Sequence, residues 1–458
     1  MPSFSGRFAY LVPGQGAVQD GPCQVSFDES TLTLVPGAGP STAFDLGDID
    51  RFTTADYELR LSLYTGTELR LTHFAKAFQD LERQMLAAYR DRLVQCLLVS
   101  DLNEVARFDG QVHLESQSRE CGGPAQVRLY ESNLAVLPDA AVGLQWRLAD
   151  VDAVEFNGRD YAVVVTCGDE RLTIGRLAKR TGELADRIRN RVTVLNERSA
   201  RTLRALFPFL TPDQFRRLST VMREGHSAPI ERLRAIHLLT ESVLLEKVVD
   251  SKLRPYLHAL AKRSAGEGWF AGFKIVRRDP RGEESDVTAN EDCPPDAEEG
   301  SAESAASDVD GHPADAIIDL GDGLEVLYWF FFPIATAGSV RASHLAWEAT
   351  SSGGRATYAF RLAMDSGGAA SPTADRLSAS SLEAAVGVIN RGLLALNFRR
   401  EPVYLSDDVL QSEQRYRHYA IAQRKVPELA RVRASFAGRA IHTSVPTWAR
   451  QVDRLVQP

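Results

Sequence analysis

The stretch between Gly21 and Asp50 returns, in order and in spacing, between Gly123 and Asp152. Gly21-Pro22, Gln24-Val25, Glu29-Ser30, Leu32, Pro36, Leu46, Asp48 and Asp50 are matched by Gly123-Pro124, Gln126-Val127, Glu131-Ser132, Leu134, Pro138, Leu148, Asp150 and Asp152, each pair 102 positions apart. After a small insertion the match resumes at Asp56-Tyr57 and Asp160-Tyr161, and again at Phe74-Ala75-Lys76 and Leu177-Ala178-Lys179. Self-similarity at one period over this length marks a structural unit copied whole. The chain must therefore carry two like domains in tandem, the first over 1–104 and the second over 105–206.

Within each copy the apolar period changes from two to about 3.6 at the same place. Val25-Ser26-Phe27, Leu32-Thr33-Leu34 and Leu59-Arg60-Leu61-Ser62-Leu63 alternate as half-buried strands do, with Gly37, Gly39 and Gly66 at the breaks. Phe74, Phe78, Leu81, Met85, Tyr89, Leu93 and Cys96 then recur at steps of three and four, the stripe of an amphipathic helix. The second copy alternates at Val127, Leu129, Val163 and Val165 before the stripe of Leu177, Leu184, Ile188, Val192 and Leu195. Each unit reads as antiparallel strands closed by one C-terminal helix, an α+β class.

That element order, over Arg7 to Leu97 and Arg107 to Leu206, resembles the pleckstrin-homology-like (PH-like) superfold, in which the helix caps one end of a bent β-sandwich. The resemblance implies two tandem PH-like barrels. Two positions depart from the family's habits. Neither capping helix holds a Trp, and the first hairpin carries Asp28-Glu29 or Glu131 where lipid-binding members place Lys and Arg. Phosphoinositide recognition is therefore not implied.

Residues 207–264 lack strand alternation and read as a helical connector. Thr211-Pro212-Asp213 is a helix start with proline in the first turn, and Leu233, Ile236, Leu239 and Val243 keep helical spacing. From Trp269 alternation returns, and Leu324 to Ala335 reads as a buried strand. Gly353-Gly354 suits a hairpin turn, and Ser380 with Glu383 a capping box for a further helix. This third, β-rich domain spans 265–400. Its order of strands followed by one helix, with Asp319-Leu320-Gly321-Asp322 echoing Asp45-Leu46-Gly47-Asp48, raises a diverged third repeat. Residues 279–315 are rich in Gly, Ser, Pro and carboxylates and cannot bury enough apolar surface to offset ordering, so a disordered acidic loop is expected there. Residues 401–458 read as a C-terminal helical extension, in which Ser406-Asp407-Asp408 caps a helix running through Arg415 to Lys425 before Pro427.

With 458 residues, 44% hydrophobic and 25% charged, the composition is that of a multidomain globular protein. The first ten residues hold one Arg and no apolar run, unlike a leader, and no run approaches the roughly 18 apolar residues of a spanning helix. Cys23, Cys96, Cys121, Cys167 and Cys293 are odd in number and lack a CxxC pair, which suits a thiol-reducing, cytoplasmic setting and disfavours structural zinc. Arg well in excess of Lys, with abundant Ala, is the bias of a GC-rich bacterial gene. A net charge of −8 speaks against a chain that coats nucleic acid or anionic membrane over its whole surface, and leaves room for local basic faces.

No motif carries catalysis. Pro13-Gly14-Gln15-Gly16 matches the opening of acyl-carrier transacylases, but the nucleophile elbow those enzymes need is missing, since Gly225-His226-Ser227 is followed by Ala228-Pro229. Arg277 and Arg281 have the spacing of a PilZ-type clamp without its Asp-x-Ser-x-x-Gly. His237 and Glu241 share a helix face without a third metal ligand nearby. No phosphate-binding glycine loop is present. No cofactor is expected, and the chain reads as a non-enzyme; only an active site assembled from distant residues at a domain junction stays open.

Two basic faces remain as candidate partner sites. Arg176, Arg180, Arg187, Arg191 and Arg198 fall within about 60° of one another when wound at 100° per residue, a row of guanidinium groups able to grip carboxylates or phosphates. The matching helix of the first copy holds Gln79, Arg83, Arg90 and Asp91, so the copies have diverged there. Arg415, Arg417, Arg424 and Lys425, interleaved with Tyr416, His418 and Tyr419, form the second face, suited either to packing or to nucleic acid. The leading expectation is a scaffold or adaptor with a protein partner. The alternative is a binder of an anionic surface, lipid or nucleic acid, through these arginines.

Overall fold

The computed structural model describes residues 2–14, 16–116, 121–264, 268–277, 324–336, 341–350, 356–364, 378–379 and 381–457. The acidic segment 279–315, Arg281, Cys293, Asp319 to Asp322, the Gly353-Gly354 turn and Ser380 lie outside them. The chain divides into two units, Met1–Glu197 with Ala395–Ala430, and Arg198–Leu394 with Arg431–Pro458.

In the first unit the repeat folds twice into one topology. The first copy runs β1 (Ser3–Val12), β2 (Gly16–Phe27), β3 (Thr31–Pro36), β4 (Thr42–Asp45), β5 (Ile49–Ala55), β6 (Glu58–Leu63), β7 (Glu68–Thr72) and α1 (Phe78–Cys96). The second runs β8 (Glu104–Glu115), β9 (Gly122–Tyr130), β10 (Asn133–Pro138), β11 (Leu144–Arg147), β12 (Ala153–Asn157), β13 (Ala162–Cys167), β14 (Glu170–Gly175) and α2 (Thr181–Leu206). The strand orders, β4-β3-β2-β1-β7-β6-β5 and β11-β10-β9-β8-β14-β13-β12, are the same, with every neighbouring pair antiparallel. Each copy is thus a PH-like barrel. Backbone strain is copied too: Tyr57 and Tyr161, His73 and Arg176, and Ala75 and Ala178 all sit at positive φ in matching turns. Inside, Val25, Leu34, Leu59, Leu61 and Leu69 are buried, as are Leu81, Met85 and Leu93 of α1, while Val127, Val136, Val163 and Ile174 form one core with Leu184 and Ile188 of α2.

The outer faces differ, and the difference explains how the barrels join. In β3 burial alternates, so Thr33 is only half-covered and Val35 is 43% exposed. In β10 all six residues are buried, including the outward pair Ala135 and Leu137 at the positions of Thr33 and Val35. Helix α1 packs against β10 and covers that face. Leu97, just past the helix, closes on Gly143, where an added Cβ would lie 3.1 Å from the Leu97 side chain. Gln126 and Arg128 of β9 are buried beside it.

Between the two barrels and the C-terminus the chain forms α3 (Pro212–Val221), β15 (Ala228–Pro229), α4 (Ile230–Arg234), α5 (Leu239–Glu246), α6 (Arg254–Arg263), β16 (Phe270–Arg277), β17 (Leu324–Ala335), β18 (Ala342–Ala349), β19 (Ala356–Arg361), β20 (Ala363–Met364), β21 (Ser378–Ala379) and α7 (Leu382–Ala395). It continues through α8 (Glu401–Tyr404), α9 (Asp407–Ser412), α10 (Arg417–Lys425), α11 (Pro427–Ser435), β22 (Phe436–Ile441) and α12 (Val445–Leu455).

The second unit is built on a sheet of order β15-β16-β17-β18-β19-β22. In the repeats the first strand pairs with the seventh; here a meander is extended at its edge by the late strand β22, so the third sheet does not reproduce the repeat's order among the described residues. Strand β17 is buried on both faces: Tyr328, Phe330 and Phe332 join the core formed with Leu257, Leu260 and Trp269. On its other face the Trp329 indole donates to Asn390 Oδ1 of α7 at 2.9 Å and to Ser227 Oγ at 3.2 Å, and Asn390 Nδ2 donates to Gly225 O at 2.8 Å. Gly225-His226-Ser227 is thereby part of a buried brace. Helix α3 starts at the Thr211 capping box with Gln214, and α7 is capped by Ser381, whose Oγ accepts the Ala384 amide at 3.2 Å.

The range 401–458 is not a purely helical extension. It divides between the units, and β22 with α12 completes the third sheet. There Trp448 Nε1 donates to Thr357 Oγ1 at 2.7 Å, Thr357 donates to the fully buried Glu348, and His442 Nε2 lies 3.0 Å from the same carboxylate. A buried carboxylate requires such partners.

Gly272 faces Trp329 across β16 and β17, and a Cβ there would come within 2.4 Å of the indole. Gly272→Ala should push the ring off Asn390 and cost about 1–3 kcal/mol. Thermal unfolding read by tryptophan fluorescence checks this; an unchanged midpoint contradicts it.

Candidate functional site

Most of the cations that stand out in the sequence hold backbone or carboxylates within the fold. On α2, Arg180 lies over the Phe108 ring at 4.1 Å and donates to Glu183 at 3.1 Å, and Arg187 reaches the same carboxylate at 2.9 Å. The hydrogen bond from Arg180 holds the Glu183 carboxyl below the usual range. Arg191 donates through Nε and Nη2 to Glu131 O at 3.2 and 3.0 Å, tying the helix to the β9–β10 turn. Arg176 is exposed at the left-handed corner before the helix, and Arg198 belongs to the second unit and is half-buried. The five are therefore not one uniform row: Arg176, Arg180 and Arg187 are outward, whereas Arg191 is structural.

The C-terminal cations converge on the first barrel. Between β4 and β5 the chain makes a tight turn at Leu46–Asp48, and α10 lies on it. Arg417 donates to Asp48 at 3.0 Å, Arg424 to the other oxygen of the same carboxylate, and Lys425 Nζ to Ile49 O at 3.0 Å and Asp50 at 3.1 Å. The Arg424 guanidinium also stacks on Tyr64 at 3.8 Å. Arg415 stays exposed, paired with Glu413 at 2.8 Å and lying over the Tyr416 ring. The expected continuous helix from Ser406 breaks at Glu413, whose extended backbone separates α9 from α10 and lets α10 turn onto the barrel. Packing, one of the two roles open to these residues in the sequence, is what Arg417, Arg424 and Lys425 do here.

Close approach depends on Gly47. A Cβ there would lie 2.8 Å from Cys96 Sγ and 2.9 Å from Ile421 Cδ1. Beneath it Arg92 grips both oxygens of Asp45, at 2.9 and 2.7 Å. The second copy has Arg147 for Asp45, Ala149 for Gly47 and Leu195 for Arg92. The seat for α10 is thus a property of the first barrel alone. Burial pushes the Cys96 thiol up to about 12 and, with Arg92 and Arg399 nearby, pulls the His418 imidazole down to about 4.

Beside α10 an open cleft of about 420 Å³ is lined by Tyr10, Phe44, Tyr64, Asp48, Gln414 and Arg417, among others. Of its charged groups, Asp48 pairs with Arg417, and Asp45 with Arg92 of α1. Elsewhere, His237 Nδ1 accepts the Leu239 amide at 3.2 Å and Glu241 pairs with Arg234, so the two residues with metal-ligand spacing have separate structural partners. Among the described residues no group of three or more His, Cys, Asp or Glu is placed to hold a metal ion, and no helix is long and apolar enough to cross a membrane.

Sequence reasoning did not find the surface that joins the barrels. Arg90 of α1 donates to Asp139 at 2.7 Å and Asp109 at 3.3 Å, Arg128 donates to Asp91 at 2.6 Å, and the Phe52 amide of edge strand β5 donates to Asp139 O at 2.8 Å. The signal was present in Ala135 and Leu137, apolar where the first copy has Thr33 and Val35. In the second barrel the strand matching β5 is β12. Its Val154 O accepts from Arg189 of α2 at 3.1 Å, while Phe156 is 44% exposed and Tyr161, at the tip of the following turn, 64% exposed.

No protein-family model matches the chain, and no curated protein matches it in sequence. Among solved structures it is similar to the N-terminal PH domain of human ARAP2, at 16% identity and a TM-score of 0.17 over 20% of this chain and 81% of that one. It is similar to the linker-DH/PH domains of p115-RhoGEF at 10% identity and a TM-score of 0.17, over 26% of this chain and 46% of that one. A third likeness is to the Spt16D Pob3N heterodimer, at 14% identity and a TM-score of 0.14, over 37% of this chain and 84% of that one.

Two outcomes test the α10 seat. Gly47→Ala should loosen α10 by about 1–3 kcal/mol, seen as faster hydrogen exchange of residues 417–425; unchanged exchange contradicts it. The depressed His418 acts on pH: an unfolded histidine titrates near about 6.5, so the folded unit binds fewer protons than the unfolded chain below that pH. Its contribution is whole above about 6.5 and is lost as pH falls toward about 4. His418→Gln should flatten the melting temperature across this window; an equal slope in variant and wild type contradicts the assignment.

Proposed function

We propose that this chain is a non-enzymatic adaptor, working in the cytoplasm, whose second barrel receives a protein partner on the β12–β13 edge and the adjoining face of α2. The observation that carries the reading is the use of the same surface in the first barrel. There β5 and α1 receive another folded domain, through the Phe52 amide and through Arg90 and Asp91. In the second barrel the matching residues are Val154, Thr193 and Val194, and Phe156 stands where the first has Thr54, which is hydrogen-bonded to Glu82 at 2.8 Å. The exposed apolar residues Phe156 and Tyr161, with Arg176 and Arg187 outward on the same unit, suit a partner with an apolar centre and an acidic rim.

The polar clusters support a non-catalytic reading. Asp45 with Arg92, Asp48 with Arg417 and Arg424, Trp329 with Asn390, and Glu348 with Thr357 and His442 each join separate elements of one unit. Duplication of a binding fold is a route to multivalent capture.

Affinity capture from native lysate with the full chain should return a defined protein set, and the F156D/Y161D variant should lose it while keeping the wild-type melting temperature. Losing two exposed aromatic anchors should weaken binding by about 2–4 kcal/mol. The same proteins captured by the variant, or none captured by the wild type, would count against the proposal.

A further inference from the structure

The most exposed large apolar side chain among the described residues lies in the second unit, at the corner between α4 and α5. Leu238 is 76% exposed and its neighbour Leu239 51%. Two adjacent leucines in water are ordinary on a mobile loop, but this corner is built. Arg234 and Glu241 clamp it from either side at 2.6 Å, the Leu239 amide donates to His237 Nδ1 at 3.2 Å, and the buried Thr240 hydroxyl donates to His237 O at 2.7 Å. The His237 ring rests on Phe209 at 4.8 Å, and Gln214 of α3 donates to Ile236 O at 3.2 Å. The fold holds both leucines outward at no gain to its own core.

The ground around the corner is basic. Residues 198–247 hold nine Arg or Lys against five Asp or Glu, in a chain whose net charge is −8. Arg217, exposed, is one helical turn from Gln214, and Arg204, also exposed, lies over the Phe215 ring at 4.1 Å on the other flank of α3. Arg201 is exposed one turn before Arg204, and Arg216 pairs with Asp213 at 3.1 Å. The other acidic groups beside the corner are Glu241, held by Arg234, and the exposed Glu231.

We infer that the α4–α5 corner docks on an anionic lipid bilayer, Leu238 and Leu239 entering the interface while Arg201, Arg204 and Arg217 meet lipid phosphates. Aliphatic tips backed by half-buried aromatic rings, with exposed guanidinium groups on α3 and the end of α2, match the layered polarity of a bilayer surface. Protein hot spots, by contrast, favour Trp, Tyr and Arg over Leu. The corner shares no residue with the β12–β13 edge, so each reading can fail alone.

Co-sedimentation of the full chain with vesicles of phosphatidylcholine, with and without phosphatidylserine, tests this. The wild type should sediment with phosphatidylserine vesicles at low salt and be released at high salt. L238D/L239D should lower the partition coefficient at least roughly tenfold without changing the melting temperature, and R204Q/R217Q should lower it by a similar factor on anionic vesicles only. Leu238→Trp should raise it, since indole favours the interface. R176Q/R187Q should leave it unchanged. Failure to sediment with phosphatidylserine vesicles, or equal binding by L238D/L239D, overturns the proposal. Absence of vesicle binding with protection of the corner by soluble polyglutamate would make it a protein-docking surface instead.

Discussion

The first unit depends on one packing decision: α1, which closes its own barrel with one face, lies with another on the outer side of β10. A barrel strand normally alternates because one side meets water. Covering that side requires apolar residues at every position, and β10 supplies them with Ala135 and Leu137. The polar rim follows from the same contact. Arg90 and Asp91 flank the covered face, and their partners Asp109, Asp139 and Arg128 all lie on the second barrel. A helix that serves two barrels turns a tandem repeat into one body.

Once the two copies were joined this way, their free surfaces could not stay equivalent. The first barrel's edge and helix are occupied by the second, and its β4–β5 corner by α10. Gly47, Asp45 and Arg92 make that seat, and Ala149, Arg147 and Leu195 at the matching positions do not. The second barrel keeps the copied geometry, down to the strained turn at Tyr161, which is exposed as Tyr57 is, but turns the aromatic Phe156 toward solvent where the first has Thr54. Duplication gave one copy an internal role and left the other its outward surface.

Much of this fold was legible in the sequence, because a repeat states its own boundaries. Strand alternation, the change of period at each capping helix and the buried strand at Leu324 to Ala335 follow from spacing alone. The C-terminus was less legible. Ser406 marks a helix start correctly, but nothing local shows that Glu413 is extended or that Phe436 to Ile441 joins a sheet whose other strands lie far earlier in the chain. The arginine faces misled for a related reason. Helical winding places Arg191 beside Arg187, yet only the tertiary fold brings Glu131 O within reach of one and not the other. Leu239 fits an apolar stripe with Leu233, Ile236 and Val243 by spacing, and only the clamped corner shows it, with Leu238, turned outward.

The central claim, that α1 on β10 makes the two barrels one cooperative body, is tested most directly by Leu137→Asp. Leu137 is fully buried although it points away from its own barrel's core. Native-state hydrogen exchange should give α1 and β10 the same opening free energy in the wild type. In the variant the two barrels should open separately, each with its internal strands still protected. If α1 and β10 already exchange independently in the wild type, or if Leu137→Asp leaves both protected as before, the account is wrong.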